Sequence, residues 1–206
     1  MESKKNYIKR LATLMFGYNG IKNTTIRDIA KNCNIALGGL YYYFTSKEHL
    51  LNEITAEALQ SRQKFLTTLN HSDNDFKTKC RKIISRRITL NTDRAYLFLF
   101  ANLDDNYEPT LSSVSSSGRD LLFEDFLFYH KEFIKDEYIE DIPKIGQLIS
   151  SASKRHLLLL IESTNIKIVD ENSFNEVIAK FQEFDMEKET NFFFNLFFKE
   201  FIKEDK

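Results

Sequence analysis

Between Thr24 and Leu50 the chain reads TTIRDIAKNCNIALGGLYYYFTSKEHL, and few folds accommodate such a stretch. Thr25 to Asp28 has the Thr-x-x-acid spacing of a capping box, in which a hydroxyl and a carboxylate each satisfy a backbone N–H at a helix start. Ile26, Ile29 and Ala30 then give one apolar face over two turns. Asn34 falls where the chain must turn, and asparagine tolerates positive φ better than most residues. A second short helix follows, from about Ala36 to Tyr43. Its composition is poor for a helix: Gly38 and Gly39 each cost about 1 kcal/mol relative to alanine in a helix interior, and three tyrosines come next. Adjacent glycines beside phenols suit a helix whose backbone comes very close to something polar. A DNA groove, walled by phosphates, is such a partner. The spacing therefore predicts a helix-turn-helix.

The same residues resemble the DNA-binding domain of the tetracycline-repressor (TetR) family of bacterial transcriptional regulators. Ile8, Leu11, Ala12, Met15, Phe16 and Gly20 match the family's first helix and the glycine that follows it. Thr24, Thr25, Ile29 and Ala30 match the second helix. Gly38, Leu40, Tyr41, Tyr43, Phe44, Ser46, Lys47, Glu48 and Leu50 match the run G-x-L-Y-x-Y-F-x-S-K-E-x-L. The resemblance implies a helix-turn-helix DNA-binding domain at 1–48 and a helical effector-binding and dimerisation domain at 49–206. It further implies a homodimer on a palindromic double-stranded DNA operator. Carried over position by position, Thr25, Tyr41, Tyr42 and Lys47 meet phosphates, and Leu37, Gly38 and Gly39 face bases. Lys47 stands in the first turn of a helix, where the dipole disfavours a cation, and a phosphate contact would explain its placement. Three positions depart from the pattern. The family's capping serine is Ala36, the variable position after it is Leu37, and the frequent Thr or Asn before Leu-Tyr is Gly39. Base hydrogen bonding from this helix is therefore expected to be sparse, with Leu37 suited to a thymine methyl.

Charge is distributed accordingly. The chain as a whole carries a net −1, yet residues 1–48 hold eight basic residues (Lys4, Lys5, Lys9, Arg10, Lys22, Arg27, Lys31, Lys47) against three acids (Glu2, Asp28, Glu48). A basic end on an acidic body fits nucleic-acid binding through that end. Cys33 and Cys80 are too few and too far apart for a disulfide framework or a zinc site, and Cys33 reads as a small buried thiol. The histidines show no metal-ligand spacing. No apolar run approaches the ~18 residues of a membrane span and no signal peptide is visible, so the expectation is a cytoplasmic protein without a membrane partner. No nucleophile elbow, phosphate-binding glycine loop, H-E-x-x-H or dinucleotide fingerprint occurs, so no catalytic residue, metal or cofactor is assigned.

Two prolines and six glycines in 206 residues fit a mostly helical chain. Periodicity predicts an all-α fold of about nine helices: 4–17, the helix-turn-helix pair, 46–69 capped by Thr45 or Ser46, 74–91, 93–104, 119–136, 144–165 and 187–203, with a short one possible at 173–183. The segment 104–118, DDNYEPTLSSVSSSG, is the clearest loop. In the last helix Phe193, Phe194, Leu196, Phe197, Phe198, Phe201 and Ile202 cover more than one stripe, and 145–161 is apolar on a broad arc with small residues at Ser150–Ser153. One face serves the subunit core; the other calls for a second copy, and an isologous contact is the simplest closed solution. Leu148, Ala152, Phe194, Phe197 and Phe201 are the expected interface residues.

The middle helices are rich in aromatics: Phe65, Phe76, Tyr96, Phe98, Phe100, Phe123, Phe126, Phe128, Tyr129 and Phe133. The resemblance implies an effector pocket there, and such a lining fits a hydrophobic or aromatic small molecule. Arg87, Asn91, Asn102 and His130 are the polar candidates for orienting it, with Phe126 and Tyr129 beside them. Plain core packing is the competing account of each aromatic. The reading as a whole is a ligand-responsive transcriptional repressor. The competing function is a DNA-bound organiser of the chromosome or of cell division that recruits a protein instead of sensing a small molecule.

Overall fold

The computed structural model describes residues 2–89, 122–167 and 170–203. The expected helix at 93–104 and loop at 104–118, with Asn91, Tyr96, Phe98, Phe100 and Asn102, lie outside them. The fold is all-α. Among the described residues run α1 (Lys4–Asn19), α2 (Ile26–Asn32), α3 (Leu37–Tyr43), α4 (Lys47–Asn70), α5 (Phe76–Ile88), α6 (Leu122–Tyr129), α7 (Ile142–Ser163), α8 (Glu171–Phe181) and α9 (Met186–Phe197). None of these helices is long and apolar enough to cross a membrane. The chain divides into two compact units. One takes the described residues of Met1–Gln60 and Ile161–Phe181, the other those of Ser61–Thr89, Arg119–Leu160 and Gln182–Lys206.

In the first unit, local signals start and stop each helix. The Ser3 hydroxyl accepts the Asn6 N–H at 3.2 Å to cap α1, and Gly20, at φ 81°, ends it. That φ lies where an L side chain is strained, so glycine is the fitting residue. Ser46 caps α4, accepting the His49 N–H at 3.1 Å. Ile8, Leu11, Ala12, Met15, Ile29, Leu40, Phe44 and Leu50 are buried around this bundle. α8, capped by Asp170, buries Phe174, Val177 and Phe181 and touches α1.

The second unit has a core built from α5, α6, α7 and α9, with Phe76, Ile83, Phe123, Phe126, Ile149, Phe193 and Phe198 at its centre. Two expected helix lengths fail here for one reason. α6 stops at Tyr129 instead of continuing to 136, and α9 stops at Phe197 instead of 203. Residues beyond both ends pair with each other. Ile134 and Ile202 form an antiparallel bridge, the Lys135 N–H donates to Phe201 O, and the Lys203 N–H donates to Phe133 O, both at 2.9 Å. Backbone bonds made across the fold displace the intrahelical bonds that periodicity alone predicts. Phe133, released from the helix, stacks on Phe76 at 4.9 Å between centroids.

The expected interface residues divide differently from the prediction. Phe194 and Phe201 are buried in the subunit's own core, and Ala152 and Phe197 pack against it half-buried. The exposed large apolar residues of α7 and α9 are Leu148, Leu159, Phe192 and Leu196, at 61%, 46%, 57% and 59% exposure. Both stripes of α9 are apolar, so the sequence alone does not say which one faces inward.

Candidate nucleic-acid interface

The helix-turn-helix is built from bonds that the local sequence dictates. Thr25 and Asp28 form the predicted capping box: the Asp28 N–H donates to Thr25 Oγ1 at 3.2 Å and the Thr25 N–H donates to Asp28 Oδ2 at 3.0 Å. The Thr25 hydroxyl also donates to that carboxylate, at 2.5 Å. This bond and the N–H pull the Asp28 carboxyl below its ordinary pKa. Thr25 is thus fully engaged within α2, with a carboxylate standing where a phosphate contact was expected. Buried Thr24 fixes the preceding connection, its hydroxyl donating to Gly20 O at 2.9 Å and lying 3.2 Å from Met15 O.

α2 ends in the way Asn34 announces. Asn34 adopts φ 50°. The Ile35 N–H donates to Ala30 O at 3.0 Å, and the Asn34 N–H to Lys31 O at 3.1 Å. This is the 6→1 and 5→2 pattern of a Schellman turn. Cys33 beside it is buried, and burial pushes its thiol pKa up to about 11, so it stays a neutral thiol at ordinary pH.

α3 follows with Ala36 at its cap, which supplies no side-chain oxygen, as the sequence predicted. Leu40 is completely buried and anchors the helix, while Leu37 is half-buried. Gly38 and Gly39 are exposed, and a Cβ at either would meet nothing within 4 Å. Neither has a positive φ. Among the described residues nothing requires glycine at these positions. Tyr41 and Tyr42 stand beside them at 45% and 83% exposure. Five of the seven expected DNA contacts therefore lie on one short helix.

Lys47 has partners inside the chain that its sequence position did not announce. Its Nζ donates to Ile21 O at 2.9 Å and to Thr24 O at 3.2 Å, clasping the α1–α2 connection to the start of α4. Other basic residues of the N-terminal stretch are also engaged internally. Lys5 pairs with Glu53 at 2.7 Å, Lys9 pairs with Glu57, and Arg10 pairs with Glu171. Lys22 and Arg27, both exposed, form no ion pair among the described residues. Neither is among the contacts that the family resemblance implies. Their signal was available: Arg27 has no acid three or four positions away on its helix face, and Lys22 lies in the α1–α2 turn with no acid within four positions.

The candidate effector residues among those described sit in different settings. Phe126 is fully buried and stacks on Phe76 at 5.8 Å, and Tyr129 is half exposed. His130 is 3% exposed and ringed by Phe76, Phe126, Tyr129 and Phe133. Burial, with Lys79 nearby, pulls its pKa down to about 4, and its Nε2 meets no hydrogen-bond partner among the described residues. Arg87 is buried, its Nε donating to Ser153 Oγ at 3.2 Å.

Residues 10–54 match the family model of bacterial regulatory proteins of the tetR family. This stretch is thus similar to the DNA-binding domain of the TetR family. The HTH-type transcriptional repressor KstR2 of Mycolicibacterium smegmatis is 40% identical over 57 residues, 28% of each chain. The HTH-type regulator YuxN of Bacillus subtilis is 41% identical over 51 residues, 25% of this chain and 18% of that one. The matched stretch thus spans less than a third of these relatives' own length. A solved structure described as "Probable transcriptional regulatory protein RHA5900" shares the fold at a TM-score of 0.59, with 17% identity over 74% of this chain and 84% of that one. The TetR-like identity is concentrated in the helix-turn-helix; the fold likeness reaches further along the chain.

Proposed function

We propose that the protein is a dimeric transcriptional repressor whose α3 helices read a palindromic operator. The observation that carries this is the outward face of α3, where two glycines without internal purpose lie beside two exposed tyrosines. A helix shaped this way lets its backbone approach bases while phenolic hydroxyls donate to phosphates. The KstR2 relatives, named as transcriptional repressors, support the same reading. Lys22 and Arg27 supply the counterion-releasing charge, and Lys47 acts through the geometry of the domain.

Two copies pair through the exposed apolar residues of α7 and α9, Leu148, Leu159, Phe192 and Leu196, and present their reading helices about 34–36 Å apart, one turn of B-DNA. An apolar or aromatic effector is held in the second unit, near the unpartnered Nε2 of His130 and the buried guanidinium of Arg87. By linkage it lowers operator affinity by as much as it prefers the state that does not bind DNA.

The test is to sequence the genomic DNA that the purified protein retains. A pseudo-palindrome beside the protein's own gene is the expected result. Sites scattered over the chromosome would replace the repressor with an organiser. On the recovered duplex, Arg27→Ala lowers the slope of log affinity against log salt by about one, and Lys47→Ala leaves the slope unchanged. A thermal-shift screen of hydrophobic compounds, followed by operator release with each hit, tests the effector.

A further inference from the structure

α8 is encoded more than a hundred residues after the helix-turn-helix, yet it belongs to the same compact unit and touches α1. A three-helix bundle needs one apolar stripe from its first helix, and Ile8, Leu11, Ala12 and Met15 provide it. In this chain burial runs without a break from Leu11 to Gly17, including Thr13, Leu14 and Gly17 on the other side. α1 is therefore covered on a second face. α8 brings Phe174, Val177 and Phe181 to the unit, all at 3% exposure or less. Its first residue, Glu171, pairs with the Arg10 guanidinium, which also lies 3.4 Å from Glu2 and 5.4 Å from the Tyr7 ring. Glu171 also lies near enough to act electrostatically on Cys33, at the end of α2.

We propose that α8 is a positioning element for DNA binding: Glu171, through Arg10, and the buried face of α8 fix the attitude of α1 and with it the α2–α3 reading head. The proposal rests on the DNA-binding reading above. Arg10 would be counted among phosphate contacts from its place in a basic N-terminus, but two carboxylates and an aromatic ring occupy its guanidinium. The pair is partly open to solvent, with side-chain exposures of 27% and 33%. Such a pair orients its elements more than it stabilises them. The hydrophobic face supplies the hold; the ion pair supplies the angle. α8 is bracketed in sequence by α7 and α9.

The experiment uses the full-length protein and a duplex recovered by the retention assay. Wild-type binding to that duplex tests the DNA reading itself, and the variants test α8. Glu171→Gln and Arg10→Gln each weaken binding about fivefold or more, with the dimer and the salt slope unchanged. The double variant is no weaker than the worse single one, because both remove the same contact. The swapped pair Arg10→Glu with Glu171→Arg recovers most of the loss, which a merely destabilising change would not do. Affinities within roughly twofold of wild type in both single variants overturn the proposal, as do losses that simply add. It is equally overturned if Arg10→Gln lowers the salt slope by about one while Glu171→Gln tightens binding, since Arg10 is then a phosphate ligand that Glu171 restrains.

Discussion

Lys47 donates a 2.9 Å hydrogen bond to the carbonyl of Ile21, 26 positions earlier in the chain. With the bond to Thr24 O, it closes the α1–α2 connection onto α4 and fixes the frame in which α2 and α3 are carried. Lys47→Met leaves both carbonyls without that donor and is expected to destabilise the protein by about 1–2 kcal/mol, with Lys47→Arg intermediate. Urea denaturation measures this. An unchanged midpoint in Lys47→Met would show that the clasp contributes nothing.

Gly38 and Gly39 predict opposite effects on stability and binding. Each alanine substitution meets open space and removes backbone freedom from the unfolded chain, so it stabilises the free protein by about 0.5–1 kcal/mol. The added methyl lies on the surface proposed to face DNA, and operator affinity drops. Thermal melts and a binding titration on the same samples check both signs. A variant that melts higher and binds as well as wild type would remove these glycines from the interface.

The readable parts of this fold are those whose causes lie within a few residues. The capping box at Thr25, the positive φ at Asn34 and the uncapped start of α3 at Ala36 each follow from neighbours along the chain. The ends of α6 and α9 do not, because Ile134 and Ile202 pair across 68 positions and override the helical pattern. The clasp of Lys47 was hidden for the same reason: its partners are carbonyls of another segment, which no side-chain pattern reveals. On α9 the sequence shows that two stripes are apolar but not that Phe194 faces in while Leu196 faces out.

His130 gives a pH signature. The unfolded chain takes up a proton on this histidine near its ordinary pKa of 6.5, whereas the folded protein resists it until about 4. The unfolded state therefore binds more protons between these values, and stability falls as pH drops through that window, by roughly 3 kcal/mol at most. His130→Leu flattens the decline. Denaturation midpoints at several pH values between 7 and 4 decide it; parallel profiles for wild type and variant would mean that this imidazole titrates normally.

Leu196→Glu and Phe198→Glu separate assembly from folding. Leu196 is 59% exposed, so its glutamate is solvated in the monomer and opposes only the pairing of copies. Phe198 is fully buried, and a carboxylate there costs several kcal/mol, enough to unfold the subunit. Light scattering with circular dichroism is expected to give a folded monomer for the first and an unfolded chain for the second. A Leu196→Glu protein that stays dimeric would move the interface elsewhere.

At Gly146 a Cβ would lie 2.8 Å from both the Cα and the amide nitrogen of Glu124. Gly146→Ala accordingly forces α6 and α7 apart, at about 1–3 kcal/mol, readable in the melting temperature. The tight crossing has a mechanical meaning as well. With main chain resting on main chain, no flexible side chain lies at that point to act as a cushion. A displacement of α6 at this crossing is therefore expected to carry α7 with it.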